Sequence, residues 1–247
     1  MVVAIQLTVT RTSMAYGTPP PLQKSTYNVP TPTIEHFTGH ETSLRDIDAA
    51  SVFIALYTLT ETLDSYLQHI YSLDTETNAS VRGLGFRLNS WVESLEGQIR
   101  MIIVRGTQLS FPGAANLRLA YLSVQLLQHR IELDFDRART DIDADTISHQ
   151  YVSARRTADV VHFLQELRKQ HLGDFWLSVS AFALSSTVTF LLRCALVAEN
   201  NDVGLAESSS LKLARDLIDI LRQHRDAGCW DLGDLCLLSM PMLWRGL

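Results

Sequence analysis

Hydrophobic residues recur with the period of an α-helix over most of this chain, and the longest regular run begins near residue 43. Six apolar residues follow one another there at spacings of 3, 4, 3, 4 and 3, namely Leu56, Leu59, Leu63, Tyr66, Ile70 and Leu73. Ser43 and Asp46 precede this seam in the positions of an N-cap and its capping box. Because charged residues do not flank the seam regularly, it predicts a helix that faces the core of its own domain rather than a coiled-coil dimer.

The same period predicts six further helices, at about 85–104, 114–139, 148–171, 174–199, 205–225 and 230–238. Loops are predicted at 74–80, 106–113, 140–146 and 200–204, with a turn at Ala227-Gly228 and Pro241 closing the last helix. Two apolar stripes run along the helix at 114–139, which predicts burial on both of its sides. Since no segment shows the alternation of a strand, the pattern predicts an all-α fold, a single multi-helix domain of about seven helices.

The stretch from Phe175 to Ala198 is the most apolar part of the chain, and its first 18 residues, through Leu192, carry no charge. A helix that is apolar on all sides is either the centre of a helical domain or a membrane span. Six Ser and Thr residues lower its hydrophobicity, and no basic cluster flanks it. The sequence therefore favours a buried central helix at about 174–199, capped by Asp174. A membrane-associated helical protein is the alternative, which recovery without detergent would exclude.

The first 42 residues are predicted to be an irregular, Pro-rich segment. Five prolines fall within 14 positions, namely Pro19, Pro20, Pro21, Pro30 and Pro32. Proline favours extended or polyproline backbone and is excluded from helix interiors. Apolar residues such as Leu22 and Phe37 occur among them, so the segment is expected to lie across a surface. The all-helical domain is predicted to occupy residues 43–247.

Composition and charge exclude several classes of protein. The 247 residues are 46% hydrophobic and 19% charged, which is typical of a globular chain rather than a disordered one. The net charge is -6, and basic residues are adjacent only at Arg155-Arg156 and Arg168-Lys169, so a nucleic-acid-binding patch is not expected. Three cysteines do not make a disulfide framework, and Arg11 follows the apolar start where a signal peptide needs its charge first. An intracellular, soluble protein is expected.

An acidic run of Asp141, Asp143 and Asp145 is the first candidate for metal chemistry. A calcium loop beginning at Asp141 needs Gly at its sixth position and Glu at its twelfth, where this chain has Thr146 and Val152. The run also lacks the paired aspartates and spaced carboxylates with which all-α prenyl-diphosphate enzymes hold magnesium. An all-α small-molecule enzyme is nevertheless the alternative function, and these aspartates beside a metal in a cavity would support it.

The remaining candidates for chemistry are Cys194, Cys229, Cys236, His162, His171 and His224. The cysteines match no zinc motif, and Cys194 is predicted to be a buried thiol in the central helix. The histidines lie in predicted helices without a recognisable nucleophile. Gly83-Leu84-Gly85 lacks the third glycine of a dinucleotide-binding loop and is predicted to be a turn. We therefore predict no catalytic, cofactor-binding or metal-binding residue, and a protein that is not an enzyme.

Four stretches of the chain resemble, in order, segments of a known family. The first is TSMAYGTPPPLQKSTYNVPTPTIEHF (12–37), similar to a segment with a "GRPxxI" turn, "V-P-x-P" and an "E-D-F"-like ending. The second is ALYTLTETLDSYLQHIYSL (55–73), and the third is LRLAYLSVQLLQHR (117–130), close to "L-H-L-x-Y-x-x-x-x-I-x-L-x-R". The fourth, 154–176, ends in Phe175-Trp176 and leads into the apolar helix, similar to "P-F-W-x-x-x-x-x-F". Over about residues 12–240 the chain thus resembles the fungal-specific transcription factor domain, the middle homology region of zinc binuclear cluster regulators.

The resemblance implies a regulatory, all-helical module in the nucleus that controls a metabolic or secondary-metabolite pathway. The partners that it implies are a second copy of the chain, other proteins of the transcription machinery, and a small-molecule effector. An effector pocket is expected between helices near the central one, and its residues are unknown. The family's six-cysteine zinc cluster does not occur in this sequence, so zinc is expected only in a missing N-terminal part, and no residue of this chain is expected to contact DNA. The chain is expected to be a C-terminal fragment, a truncated gene product, or a member that lacks the cluster.

Overall fold

The computed structural model describes residues 2–21, 30–39, 41–71, 78–138, 157–199, 208–228 and 230–243. The helices within these residues are α1 (Val2–Tyr16), α2 (Leu44–Tyr71), α3 (Asn78–Ser94), α4 (Gly97–Arg105), α5 (Ala114–Ala138), α6 (157–166), α7 (Lys169–Leu172), α8 (Ser180–Glu199), α9 (Ser209–Gly228) and α10 (Asp234–Leu243). Short 3-10 turns occur at Ile34–His36 and Asp231–Gly233. The described residues contain no β-strand, and the prediction of an all-α, multi-helix fold is confirmed.

The chain divides into two compact units, Met1–Val124 and Gln125–Leu247, with the boundary inside α5. In the first unit α1 packs against α2, and α2 packs against α3 and α4. In the second unit α8 packs against α9 and α10, and α7 packs against α9.

The start of the chain differs from the prediction, because Val2–Tyr16 is a helix rather than irregular backbone. The prolines that excluded a helix all follow Gly17, and this glycine takes a left-handed φ of 67° directly after α1. Proline therefore bars a helix only from that point onward. Within the described residues that follow, the Pro-rich segment contains only the 3-10 turn at Ile34–His36, as an irregular segment should.

The predicted seam helix is confirmed as α2, together with its cap. The Ser43 amide and hydroxyl donate to Asp46 Oδ2 at 3.0 and 2.7 Å, and the Asp46 amide donates back to Ser43 Oγ at 3.2 Å. These hydrogen bonds lower the pKa of the Asp46 carboxyl. Four seam residues are fully buried, namely Leu56, Leu59, Leu63 and Tyr66. Ile70 is partly exposed, and Leu73 lies outside the described residues.

The helix predicted at 85–104 is in fact two helices, α3 and α4. The helix breaks at Leu95 and Glu96, because Glu96 is extended and Gly97, the first residue of α4, takes a left-handed φ of 51°. At its other end α3 begins at Asn78, so residues 78–80 are helical rather than part of the predicted loop. Gly83-Leu84-Gly85 is likewise helical rather than a turn. The predicted break after residue 105 is confirmed, since Gly106 ends α4 in the left-handed region and donates to the Ile102 carbonyl.

The predicted helix at 114–139 is confirmed as α5, and both of its apolar stripes are buried between Leu117 and Leu126. One stripe contains Leu117 and Val124, and the other contains Leu119 and Leu122. The predicted helix at 148–171 is broken: residues 157–166 are helical, Leu167 and Arg168 are not, and α7 follows. Residues 148–156 lie outside the described part of the chain.

The central helix begins at Ser180, six residues later than predicted, so Asp174 does not cap it. The Trp176 indole N–H donates to the His171 carbonyl at 3.0 Å, and the Ser180 amide donates to the Leu177 carbonyl at 2.8 Å. Residues 174–179 are not helical: Asp174 is a bend, 175–177 are irregular, and 178–179 form a turn before α8. The rest of α8 is buried along one side, but Leu196 is 50% exposed, so the helix is not enclosed all round.

The two Thr hydroxyl groups of α8 are satisfied inside the helix itself, whereas Ser186 Oγ accepts from the Arg130 guanidinium at 3.0 Å. Thr187 and Thr189 donate to the carbonyls of Ala183 and Ser185 at 2.7 and 2.8 Å. This backbone bonding is how an apolar helix accommodates Ser and Thr without unpaired donors. Among the described residues, no helix combines the length and the hydrophobicity that crossing a bilayer requires.

The C-terminal helices run further than predicted. α9 includes Ala227 and Gly228, which were expected to form a turn, and α10 extends past Pro241 to Leu243. Pro241 stands two residues before the end of α10, where its missing N–H removes a single hydrogen bond and does not stop the helix.

Candidate functional site

A groove with a volume of about 340 Å³ lies on the first unit, between α2 and α3. This volume is at the lower end of the range of small-molecule sites. Two helix faces line it, namely Thr58, Glu61, Thr62 and Ser65 of α2 and Phe86, Arg87, Ser90 and Trp91 of α3. The α2 residues are spaced i, i+3, i+4 and i+7, so they form one continuous stripe.

Two hydrogen bonds between distant residues, one buried and one partly buried, hold the walls of the groove together. The Tyr66 hydroxyl donates to the Leu84 carbonyl at 2.9 Å, and the Trp91 indole N–H donates to Thr58 Oγ1 at 3.0 Å. Both aromatic side chains are largely or wholly buried. Each bond joins α2 to α3, so the spacing of the two helices is fixed on both sides of Phe86.

Trp91 is supported from beneath by an aromatic stack. Its ring lies 6.0 Å from that of Tyr121, with an interplanar angle of 29°. The Arg118 guanidinium in turn lies 5.6 Å from the Tyr121 ring, within the range of a cation–π contact. These side chains fix the orientation of Trp91 and leave it little freedom to rotate.

The α3 wall presents an aromatic ring and a cation to solvent. Phe86 is 73% exposed, which is unusual for a side chain of that size on a helix that packs against its neighbours. Arg87, the next residue, is also exposed. Within the described part of the chain, its guanidinium has no acidic side chain in ion-pairing range. The α3 wall therefore presents an exposed aromatic ring beside the N–H donors of a guanidinium that forms no ion pair with the described residues.

The α2 wall presents hydrogen-bond acceptors. Thr62 and Ser65 donate to the carbonyls of Thr58 and Glu61, through long bonds of 3.4 and 3.5 Å. Thr58 donates to the Ala55 carbonyl at 3.1 Å and already accepts from Trp91. A hydroxyl oxygen that donates to its own helix keeps lone pairs, so Thr62 and Ser65 offer hydrogen-bond acceptors to the groove. The groove can therefore bind a molecule that is acidic at one end and donates hydrogen bonds at the other.

The acidic run of Asp141, Asp143 and Asp145 lies outside the described residues, as does Cys229. Within the residues that the structure does describe, no group of three or more His, Cys, Asp or Glu side chains could hold a metal ion. Cys194 is half-buried against Leu126 and Phe190 rather than fully buried as predicted.

Of the three histidines named above, two are tied to the backbone of the second unit. The Arg168 amide donates to His171 Nδ1 at 3.1 Å, and burial lowers the pKa of His171. His224 Nε2 contacts the Leu164 carbonyl at 2.7 Å, and the His224 ring meets Trp230 edge-on at 5.7 Å. His162 is exposed on α6. The structure thus gives His171 and His224 structural contacts within the second unit.

The expected effector pocket beside the central helix stays a prediction, and the groove is a separate feature. The expected place was beside the central helix, which belongs to the second unit, whereas the groove lies in the first. A signal for it is present in the sequence, because Thr58, Glu61, Thr62 and Ser65 form a polar stripe at helical spacing opposite the apolar seam. Such a stripe is usually the solvent-exposed face of a helix. It lines a groove here because α3 lies beside it.

Comparison with protein-family models, with curated proteins and with solved structures finds no match to this chain.

Proposed function

We propose that this chain is the regulatory region of a fungal transcription factor of the zinc binuclear cluster type, and that it acts by binding rather than by catalysis. On this proposal it works in the nucleus and controls genes of a metabolic or secondary-metabolite pathway. Its partners are a second copy, other proteins of the transcription machinery, and a small molecule. Contact with DNA belongs to a zinc cluster outside this sequence.

The observation that carries the proposal is where the groove lies. The four groove residues of α2 belong to the stretch 55–73, one of the four that resemble the family. A second such stretch, 117–130, lies in α5, where Leu117, Leu119 and Leu122 are buried. The stretches that resemble a regulatory domain thus supply both the core of a helical scaffold and one wall of a binding groove.

A regulatory module needs a binding event that changes a conformational equilibrium. A ligand that contacts α2 and α3 at once favours the arrangement in which the Tyr66–Leu84 and Trp91–Thr58 hydrogen bonds are formed. It stabilises that arrangement only by the difference in its affinity for the two states. Regulation in this form requires no catalytic residue.

A transcriptional fusion tests the proposal. The full chain is placed between an unrelated DNA-binding domain and a strong activation domain, and a reporter gene is measured in yeast per amount of fusion protein. A regulatory module is expected to change the output several-fold relative to the fusion without it. Leu63→Asp, which places a charge at a fully buried position of α2, is expected to abolish that change.

Leu44→Asp is the matched control for the fusion, since Leu44 lies on the same helix and is 81% exposed. This variant is expected to regulate as the original chain does. An output that the chain leaves unchanged, or that Leu63→Asp and the original chain change equally, would show that the folded module is not regulatory.

A further inference from the structure

We infer that the α2–α3 groove binds a phenolic acid, a small aromatic ring with a carboxylate at one end and a hydroxyl group at the other. The inference deepens the proposed function by naming the chemical class of its small-molecule effector. The regulatory role of the ligand rests on the proposed function, whereas its binding to the groove does not. Three features of the groove, each on named side chains, define the three parts of this ligand.

The carboxylate is assigned by Arg87. A guanidinium presents a planar fork of N–H donors that matches a carboxylate in a two-bond arrangement. Arg87 is exposed on the α3 wall without an acidic partner among the described residues. Glu61 stands on the α2 wall and already has an interaction of its own. Its charge repels a second carboxylate, so the acidic end of the ligand lies at α3.

The aromatic ring is assigned by Phe86. This side chain is 73% exposed and directly precedes Arg87 in the groove wall. A ligand ring laid against Phe86 removes two apolar surfaces from water and allows an offset or edge-on aromatic contact. The volume of about 340 Å³ exceeds the roughly 150 Å³ cavity that is known to hold benzene, so one ring with two polar substituents fits.

The hydroxyl group is assigned by Thr62 and Ser65. Each hydroxyl lies at a long hydrogen-bonding distance, 3.4 or 3.5 Å, from a carbonyl of α2, and its oxygen keeps lone pairs for a donor in the groove. A phenol O–H is a donor that meets this need, whereas a second carboxylate at that end would be repelled by Glu61. The donor on one wall and the acceptors on the other also fix the direction in which the ligand lies.

Isothermal titration calorimetry on the full chain tests the inference with three matched probes. 4-Hydroxybenzoate carries both polar ends, benzoate lacks the hydroxyl group, and phenol lacks the carboxylate. We expect 4-hydroxybenzoate to bind about 5- to 10-fold more tightly than either of the others, since each deletion removes one hydrogen-bonded end.

Three variants identify the residues. Arg87→Gln is expected to weaken 4-hydroxybenzoate about 10-fold or more and to leave phenol unchanged. Ser65→Ala combined with Thr62→Val is expected to remove the advantage of 4-hydroxybenzoate over benzoate. Arg105→Gln, an exposed arginine in the same unit that does not line the groove, is the control and should bind all three probes as the original chain does.

Equal affinity for the three probes, no binding of 4-hydroxybenzoate, or the same loss in Arg105→Gln as in Arg87→Gln would overturn the inference. The result is separate from that of the fusion experiment. Regulation of the reporter without binding of any probe would reject the phenolic ligand alone. Binding of 4-hydroxybenzoate without regulation would reject the regulatory function and leave the site in place.

Discussion

Arg11 occupies a position that is costly to the fold. It lies on α1, its side chain is only 3% exposed, and its Nε donates to the neutral Thr60 hydroxyl at 3.3 Å. Its Nη2 has no acceptor among the described residues. Burial without a carboxylate lowers the pKa of Arg11 to about 10. Burying a cation without an oppositely charged partner lowers the stability of the folded state.

Arg11→Met is therefore expected to stabilise the protein. Methionine keeps the length and the apolar contacts of the side chain, and Thr60 retains its hydrogen bond to the Leu56 carbonyl at 2.8 Å. We expect the free energy of unfolding at pH 7 to rise by about 1–2 kcal/mol, within the range seen when buried charges are replaced by apolar residues. Urea denaturation measures it, with Arg105→Met as the exposed control. A variant less stable than the original chain would mean that Arg11 contributes a favourable interaction.

Single residues were predictable from the sequence where one periodic pattern decides their environment. The burial of Leu59 and Leu63 follows from the seam spacing alone. The burial of Arg11 does not, because an arginine beside three Thr and Ser residues has the composition of an exposed surface. The acceptor role of Thr62 and Ser65 was also out of reach, since it depends on which way each hydroxyl hydrogen points.

At the scale of elements, helix centres were easier to predict than helix ends. The capping box at Ser43 and the glycine at Gly106 fixed two ends correctly, because both act through local hydrogen bonds that the sequence encodes. The start of α8 was missed because it depends on a hydrogen bond from Trp176 to His171, which no periodicity reveals. The split between α3 and α4 depends on the backbone angles of one glycine.

Gly83 and Gly97 form a matched pair that tests this account of the split. Neither would bring an added Cβ within 4 Å of another atom, so only the backbone differs between them. Gly97 has φ of 51°, and Gly97→Ala is expected to lower the free energy of unfolding by about 1–2 kcal/mol. Gly83 lies inside α3, and Gly83→Ala is expected to raise the free energy of unfolding by about 0.5–1 kcal/mol.

Urea denaturation of the two alanine variants measures both changes in one experiment. If backbone conformation explains the split, Gly97→Ala and Gly83→Ala must change the free energy of unfolding in opposite directions. If both variants were stabilised, Gly97 would not be held in the left-handed conformation, and α3 and α4 would join into one helix as the periodicity first suggested.

At the scale of the whole molecule, the all-α class was predictable because helical period repeats along nearly the entire chain. The division into two units at Val124 was not, because it falls inside a continuous helix that has no change of composition there. The groove depends on the pairing of α2 with α3, which is a long-range contact. The hydrophobic periodicity of the sequence thus predicted which segments are helices, but not which helices pack against each other.

Cys236 gives the molecule a pH dependence that can be assigned to its second unit. The side chain is fully buried in α10, and burial raises the pKa of this thiol from 9.0 to about 11. Between these two values the unfolded chain has lost the thiol proton while the folded chain keeps it. Since the folded state then binds more protons, stability falls as pH rises from about 9 to 11.

The loss assigned to Cys236 is expected to be on the order of 2 kcal/mol across that window. Arg11, in the first unit, has the opposite sign, because its lowered pKa makes the folded state release a proton first and stability rise above about pH 10. Urea denaturation of Cys236→Ala and of the control Cys194→Ala at pH 8 and pH 10.5 separates the thiol from all other groups. Cys236→Ala should lose less stability between the two pH values than the original chain, and Cys194→Ala should behave as the original chain does. Equal losses in all three proteins would show that the Cys236 thiol is ionised as readily in the folded state as in the unfolded one.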